Sequence, residues 1–271
     1  MRPDERVPQL THGEGDRRPW AAGSPIDTAD ALALLREGEL EVVGRVRDAS
    51  NLVLLCEIGV GPREADAEAG ERRTFHVAYK PIRGERPLDD FPSGTLAARE
   101  EAAWWVSETL GWRVVPPTIV RDGPAGRGAV QLWIDTDDHV DVLRMILVRD
   151  DRLRPMAVFD ALVNNADRKG GHLLVTEDDE VHGVDHGICF AVEPKLRTVL
   201  WGWRGERLTG AERTDIERVC SGLDGALGDR LTDLLSAREI DALRTRAQRL
   251  LADGTLPLPD PYAHVIPWPP F

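Results

Sequence analysis

The sequence predicts an α+β chain, with a strand-rich first half and a mainly helical second half. Short apolar runs separated by turn residues cluster between residues 39 and 134. One long segment with helix start and stop residues, "SGTLAAREEAAWWVSETLGW", interrupts them. From about residue 136 the apolar spacing turns helical, broken by a single short polar hairpin.

Each element follows from local chemistry. Residues 1–23 are polar and contain Pro and Gly, and are expected to form a flexible arm. "SPIDTADALALLREG" reads as a short helix, with Asp27 or Thr28 as cap, Ala31, Leu34 and Leu35 as its apolar stripe, and Gly38 as its stop. "ELEVVGRVR" and "NLVLLCEIGV" are strands joined by the turn-forming "DAS". "GPREADAEAGERR" has no periodicity and reads as a loop. "TFHVAYKP" is a third strand, ended by Pro81 and carrying Lys80 at its tip. In the long helix Ser93 or Thr95 can cap and Gly111 can close. "RVVPPTIVRD" and "GAVQLWID" are strands flanking the loop "GPAGRG". "DDHVDVLRMILVRDD" and "RPMAVFDALVNNA" read as helices, with Asn164 and Asn165 as helix-end or turn residues. "HLLVT" and "VHGVDHG" form the hairpin, and "TGAERTDIERVCSGL", "GDRLTDLLS" and "AREIDALRTRAQRLLADG" are helical. The Pro-rich tail "TLPLPDPYAHVIPWPPF" is expected to be extended and to pack back on the body, since its apolar side chains would otherwise face water.

Composition narrows the function classes. A length of 271 residues at 42% hydrophobic supports one large domain or two small lobes. A formal net charge of −13 argues against binding nucleic-acid backbones and against broad docking on anionic membranes. The three cysteines, Cys56, Cys189 and Cys220, include no CxxC pair, so neither a zinc site nor a disulfide framework is expected. No apolar h-region opens the sequence and no apolar run reaches transmembrane length, so a soluble cytoplasmic protein is expected.

The chemistry concentrates in "NNADRKGGHLLVTEDDEVHGVDHGICF", where Asp167 and Asp185 lie 18 positions apart in polar, Gly- and His-rich turns. Phosphoryl transfer needs a cation on the phosphates of ATP, an anion holding that cation, metal ions on the phosphates, and a base or positioning group at the acceptor. The chain presents candidates in that order. Lys80 ends the third strand, and Glu100 lies in the next helix with Glu101 as its alternative. Asp167 opens "DRKGGH" after a helix, and Asp185 follows the hairpin. Each piece alone is weak, because a strand-end lysine and a helical "REE" are commonly solvated surface. Their joint order carries the signal.

"NADRKGGHLL" followed by "HGVDHGICF" resembles the catalytic and metal-binding loops of the phosphatidylinositol 3-/4-kinase-like superfamily, and more closely a bacterial phosphatidylinositol kinase-like branch. "YKP", "TLAAREEAAWW" and the ending "IPWPPF" look like that branch too. The resemblance implies a bilobal protein-kinase-like fold, with a β-rich N-lobe over residues 24–134 and a mainly helical C-lobe over residues 135–271. It implies that Lys80 contacts the ATP phosphates and that Glu100 orients Lys80. By the same likeness Asp167 places or deprotonates an acceptor hydroxyl, while Arg168 and Lys169 steady transferring phosphate charge. Asp185 binds Mg²⁺, Ser50 and Asn51 of "RDASN" lie over the phosphates, and Gln131 to Ile134, Trp133 included, form the linker that meets adenine. The family pattern has asparagine as a metal ligand five residues after the catalytic aspartate; here it is His172, which points toward Mn²⁺ or weakened activity. The "RDASN" loop lacks the glycines of a protein-kinase G-x-G-x-x-G.

The implied activity is ATP- and Mg²⁺- or Mn²⁺-dependent transfer to a lipid, protein or small-molecule hydroxyl. A nucleotide-binding pseudokinase with a regulatory role and a protein AMP-transferase are the rival readings. The Pro-rich tail is a candidate segment for docking a protein partner. His172, His182 and His186 around Asp185 invite a zinc reading, against plain hydrogen bonding that shapes the loops. Trp201 and Trp203 could line an acceptor groove, with core packing as the alternative.

Overall fold

The structure is a computed structural model and describes Ile26 and residues 28–47, 50–60 and 73–271. The expected N-terminal arm, Asp27, and the loop between the second and third strands lie outside the described residues. The chain divides into two compact units, one drawn from Met1–Ala97 and Pro117–Asp135, the other from Ala98–Pro116 and Thr136–Phe271.

The first unit is built on five antiparallel strands: β1 (Glu39–Arg45), β2 (Leu54–Val60), β3 (Arg73–Pro81), β4 (Thr118–Gly123) and β5 (Gly126–Leu132). Their spatial order is β1-β2-β3-β5-β4. Side chains alternate across a pleat, so Val77 and Tyr79 of β3 are buried while Ala78 and Lys80 are half-buried on the other face. Helix α1 (Thr28–Glu37) lies against β2, β4 and β5 and buries Ala31, Leu34 and Leu35. Arg121 of β4 donates to the carbonyls of Leu35 and Gly38, satisfying acceptors at the C-terminal end of α1. The β4–β5 turn closes on Tyr79: a Cβ on Gly123 or Gly128 would sit 2.8 Å from its ring. Glycine at these two positions makes room for the buried phenol.

The second unit holds most of helix α2 (Leu96–Leu110), then α3 (Val142–Val148), α4 (Arg154–Val163), the hairpin β6 (Leu173–Val175) and β7 (Val181–Gly183), α5 (Gly210–Gly222), α6 (Ala226–Thr232) and α7 (Ala237–Asp253). Every residue of α4 from Met156 to Val163 is buried, and α7 packs against α4, α5 and α6. Thr209 and Ser236 close capping boxes with Glu212 and Glu239. Both glutamates also pair with arginines, Glu212 with Arg154 at 2.7 Å and Glu239 with Arg99.

Several expectations are corrected here. The proposed first lobe of residues 24–134 is interrupted, because Ala98–Pro116 groups with the helical unit. Arg99 explains this, since its buried guanidinium donates to the Cys189 carbonyl at 2.8 Å and to Glu239. The chain passes between units after Asp135, beyond the Gln131–Ile134 stretch expected to be the linker. At the start of α2, Glu85 accepts the Ala97 N–H at 3.1 Å, and the Thr95 hydroxyl donates to the Pro92 carbonyl. Residues 114–117 of "RVVPPTIVRD" precede β4 without joining it. The Pro-rich tail has no helix or strand, as expected; Pro267 is buried, but Tyr262 and Trp268 are 97% and 89% exposed.

Candidate active site

The candidate site grows from the end of α4. Asn164 adopts a left-handed conformation at φ 54° and ends the helix, and its amide side chain donates to the carbonyls of Ala191 and Glu193. Asn165 turns the chain back: its Oδ1 accepts the Asp167 N–H at 2.9 Å, and its Nδ2 donates to Asp160 at 2.9 Å. Asp167 is thereby held by a residue that is itself anchored in the core.

Arg168 requires a correction. It was expected to face phosphate, but its side chain is 0% exposed and paired with the equally buried Asp160 at 3.0 Å. It also donates to the Val184 carbonyl at 2.9 Å and meets His186 Nε2 at 2.6 Å. A guanidinium enclosed in this way fixes the loop from beneath and cannot reach a ligand. Asp160 further accepts from the Thr198 hydroxyl at 3.2 Å. Burying such a carboxylate is tolerable only because it is charge-paired and multiply hydrogen-bonded.

Above this base, Lys169 Nζ stands 3.3 Å from Asp167 Oδ2, with the two side chains 21% and 27% exposed. Burial raises the Asp167 carboxyl above the ordinary carboxylate range; Lys169 pulls it down, and the negative charge of Asp185 pushes it up. Arg168, the neighbour of Asp167, donates to the carbonyl of Val184, the neighbour of Asp185, and so draws the two turns together. The 3₁₀ turn Gly170–His172 leads into β6, and the Val184 N–H returns to the His172 carbonyl at 3.0 Å. Asp185 takes φ 63°, a conformation that aspartate tolerates better than most residues, and its Oδ2 lies 3.5 Å from His172 Nε2. Next to it, the buried His186 donates its N–H to Glu100 Oε2 at 3.0 Å and sets its ring edge-on to Phe159, 5.6 Å between centroids.

The structure thus brings Asp167, Lys169, His172 and Asp185 together over a buried base of Asp160, Asn165, Arg168 and His186, with Glu100 attached to that base. Lys80 lies half-buried on β3 of the first unit. Ser50 is exposed, and Asn51 accepts the Arg86 N–H at 2.8 Å; Asp48 and Ala49 lie outside the described residues. The Gln131 side chain is buried and donates to Thr118 Oγ1 at 2.8 Å, tying β5 to β4. Trp133 is half-buried, and its N–H pairs with the His76 carbonyl at 3.0 Å. Trp203 is packed in the core, and Trp201 donates to the Val265 carbonyl.

Among the described residues no group of three or more His, Cys, Asp and Glu converges as a protein-only metal cage. The donor set suits a different arrangement. Asp185, 46% exposed, with His172 beside it, offers one or two protein ligands, the number a divalent ion needs when phosphate oxygens and water complete its shell. Also among the described residues, no helix is long and apolar enough to cross a membrane.

Sequence reasoning missed Asp160 and Thr198. The signal for Asp160 was present as a lone carboxylate in the apolar helix "MAVFDALV", which cannot be buried unpaired.

Protein Rv2133c of Mycobacterium tuberculosis is 46% identical over 277 residues, covering 89% of this chain and 96% of that protein. The chain belongs to the Rv2133c family. No family model matches it. Beyond the Rv2133c family, phosphatidylinositol 4-kinase gamma 4 of rice is 28% identical over 127 residues, 40% of this chain and 22% of that protein. Among solved structures, hydra Fam20 with sugar aligns at a TM-score of 0.55 and 15% identity, covering 87% of this chain and 90% of that one. The Helicobacter pylori proinflammatory kinase CtkA aligns at 0.45 and 11% identity over 79% of this chain and 91% of that one. The Rv2133c-family chain has a mixed α+β kinase-like fold, with a sheet-based unit and a helical unit.

Proposed function

We propose that the chain is an ATP-dependent phosphotransferase that moves a phosphoryl group to a hydroxyl acceptor, of the phosphatidylinositol 3-/4-kinase-like type. The observation that carries this is the juxtaposition, on one buried base, of the Asp167–Lys169 pair with the Asp185–His172 pair. The local likeness to a rice phosphatidylinositol 4-kinase supports the branch.

ATP with a divalent ion supplies the transferable phosphoryl group and neutralises its developing charge. Asp167 accepts the proton of the acceptor hydroxyl; its raised carboxyl makes it a better base than an ordinary aspartate once ionised. Lys169 holds the Asp167 carboxylate at 3.3 Å and faces the transferring oxygens. Asp185 is the principal ligand for the ion, with His172 as a nitrogen donor that favours Mn²⁺ over Mg²⁺ more than asparagine would. Lys80 takes the phosphates of ATP, and Ser50 and Asn51 belong to the loop assigned to them. Glu100 holds the metal loop through the His186 amide.

Melting temperature with ATP and either Mg²⁺ or Mn²⁺, on wild type and Asp185→Ala, tests this. A ligand that binds only the folded chain raises the midpoint. A metal-dependent rise in wild type that Asp185→Ala abolishes is expected, together with ATP turnover that Asp167→Asn removes. Binding without turnover would make the protein a pseudokinase. No rise at millimolar ATP would sink the assignment.

A further inference from the structure

The Gly-Gly step after Lys169 should be the softest part of the catalytic loop, because glycine loses the most conformational freedom on ordering. The two glycines have different surroundings. Around Gly171 the space is open, and an added Cβ would meet nothing within 4 Å. Gly170 is buried beneath the ring of Phe271, and an added Cβ would lie 1.9 Å from a ring carbon. Its N–H also donates to the Pro270 carbonyl at 2.9 Å.

The contact is not isolated. Arg168 forms a parallel bridge with Thr198, through Arg168 N–H to the Arg197 carbonyl at 3.0 Å and Val199 N–H to the Arg168 carbonyl at 3.1 Å. Thr198 N–H then donates to the Val265 carbonyl at 3.0 Å, and Trp201 Nε1 donates to that same oxygen at 2.8 Å. Catalytic loop, residues 197–199 and Val265 therefore form three rungs of backbone, and the Pro-rich segment returns to the loop a second time at Gly170. Further back, Leu256 exchanges backbone hydrogen bonds with Gly205 and Glu206. The segment is thus tied to the body at Leu256, Val265 and Pro270, and reaches the loop at the residue next to Lys169.

We propose that residues 265–271 form a strap that positions the catalytic loop, with Phe271 as the positioning residue for Lys169 and Asp167. The proposal rests on reading residues 167–170 as the catalytic loop. The strap seals the underside of Gly170 but leaves Asp167 27% and Lys169 21% exposed, so it orders the site without covering it. Displacing a reacting group by about 1 Å can lower a rate roughly 100-fold, which makes a contact at this point consequential.

The test uses the full chain with Phe271→Ala, the conservative Phe271→Leu, and Tyr262→Ala, outside the strap and 97% exposed, as control. Amide exchange at Gly170 is read by NMR, alongside ATP turnover and the ATP–metal melting shift. For Phe271→Ala we expect exchange at Gly170 to quicken tenfold or more. Turnover should fall at least tenfold with the nucleotide concentration at half-effect unchanged. Phe271→Leu should recover most of both, and Tyr262→Ala should match wild type. Unchanged exchange at Gly170 in Phe271→Ala overturns the proposal, and so does increased turnover, which would mark the strap as a block. A wild-type chain that neither binds nor turns over ATP ends the phosphotransferase assignment separately. The Gly170 exchange rate then still decides whether Phe271 holds the loop.

Discussion

Removing the Asp160 carboxylate should be the most damaging single change beneath the candidate site. Asp160→Ala takes away the partner of Arg168 Nε and NH2, of Asn165 Nδ2 and of the Thr198 hydroxyl, all inside the core. Arg168, 0% exposed, is left as a buried cation with carbonyl acceptors such as Val184 but without its paired carboxylate. Removing one partner of such a pair costs about 3–5 kcal/mol. At about 2–4 °C per kcal/mol for a unit of this size, the melting midpoint should fall by roughly 6–20 °C. The buried Trp104 and Trp203 report the transition by fluorescence during urea and thermal unfolding. Asp160→Asn keeps hydrogen-bonding atoms without the charge and should lose about half as much. Replacing both partners, Asp160→Leu with Arg168→Met, should cost much less than the sum of the single changes, because two apolar groups avoid the unpaired charge. A loss under about 1 kcal/mol for Asp160→Ala, or a double-mutant cycle additive within about 0.5 kcal/mol, would refute the coupling.

Two titration predictions follow from the local fields. Burial, with the charge of Asp185, raises Asp167, so turnover should climb with pH through a limb above the ordinary carboxylate value of about 3.9; Lys169→Met should move that limb higher still. The same shift means that ionising Asp167 opposes folding. Its stabilising effect is complete below the unfolded pKa and is lost as pH rises through the folded one. Asp167→Asn should therefore melt higher than wild type at pH 7 while losing about 10²–10⁴-fold in rate, measured by calorimetry and ATP consumption. Glu212 behaves oppositely. Burial alone would raise it, but hydrogen bonds from Arg154 and the Thr209 N–H outweigh burial and lower it. Its contribution is present above the unfolded pKa and lost as pH falls through the folded one, so Glu212→Gln should cost about 1–2 kcal/mol near pH 7 and progressively less in acid, read by urea unfolding across pH.

Much of the architecture was legible because its causes are local. The alternation of Cys56 and Ile58 with the half-buried Leu55 and Glu57 in β2, the spacing of Leu34 and Leu35 in α1, and the polar turn between β6 and β7 are all written in short windows. What was not legible depends on residues far apart in the chain. Glu85 capping α2, Arg99 reaching Glu239, and Thr118 holding Gln131 are partners chosen by tertiary contact. Arg168 shows the commonest error: a charged residue beside a catalytic aspartate looks like ligand chemistry until its burial is known. Gly170 gives the opposite case, since its glycine is explained only by Phe271, about a hundred residues later.

The two neighbours Arg99 and Glu100 on α2 carry one further consequence. Consecutive helical residues point about 100° apart, and here one holds the Cys189 carbonyl and Glu239 while the other holds the His186 amide. The helix is pinned against turning as well as sliding. An on–off element needs two arrangements separated by only a few kcal/mol, and turning α2 would strand a buried guanidinium and a buried carboxylate together. Such a helix is a fixed strut, not a lever.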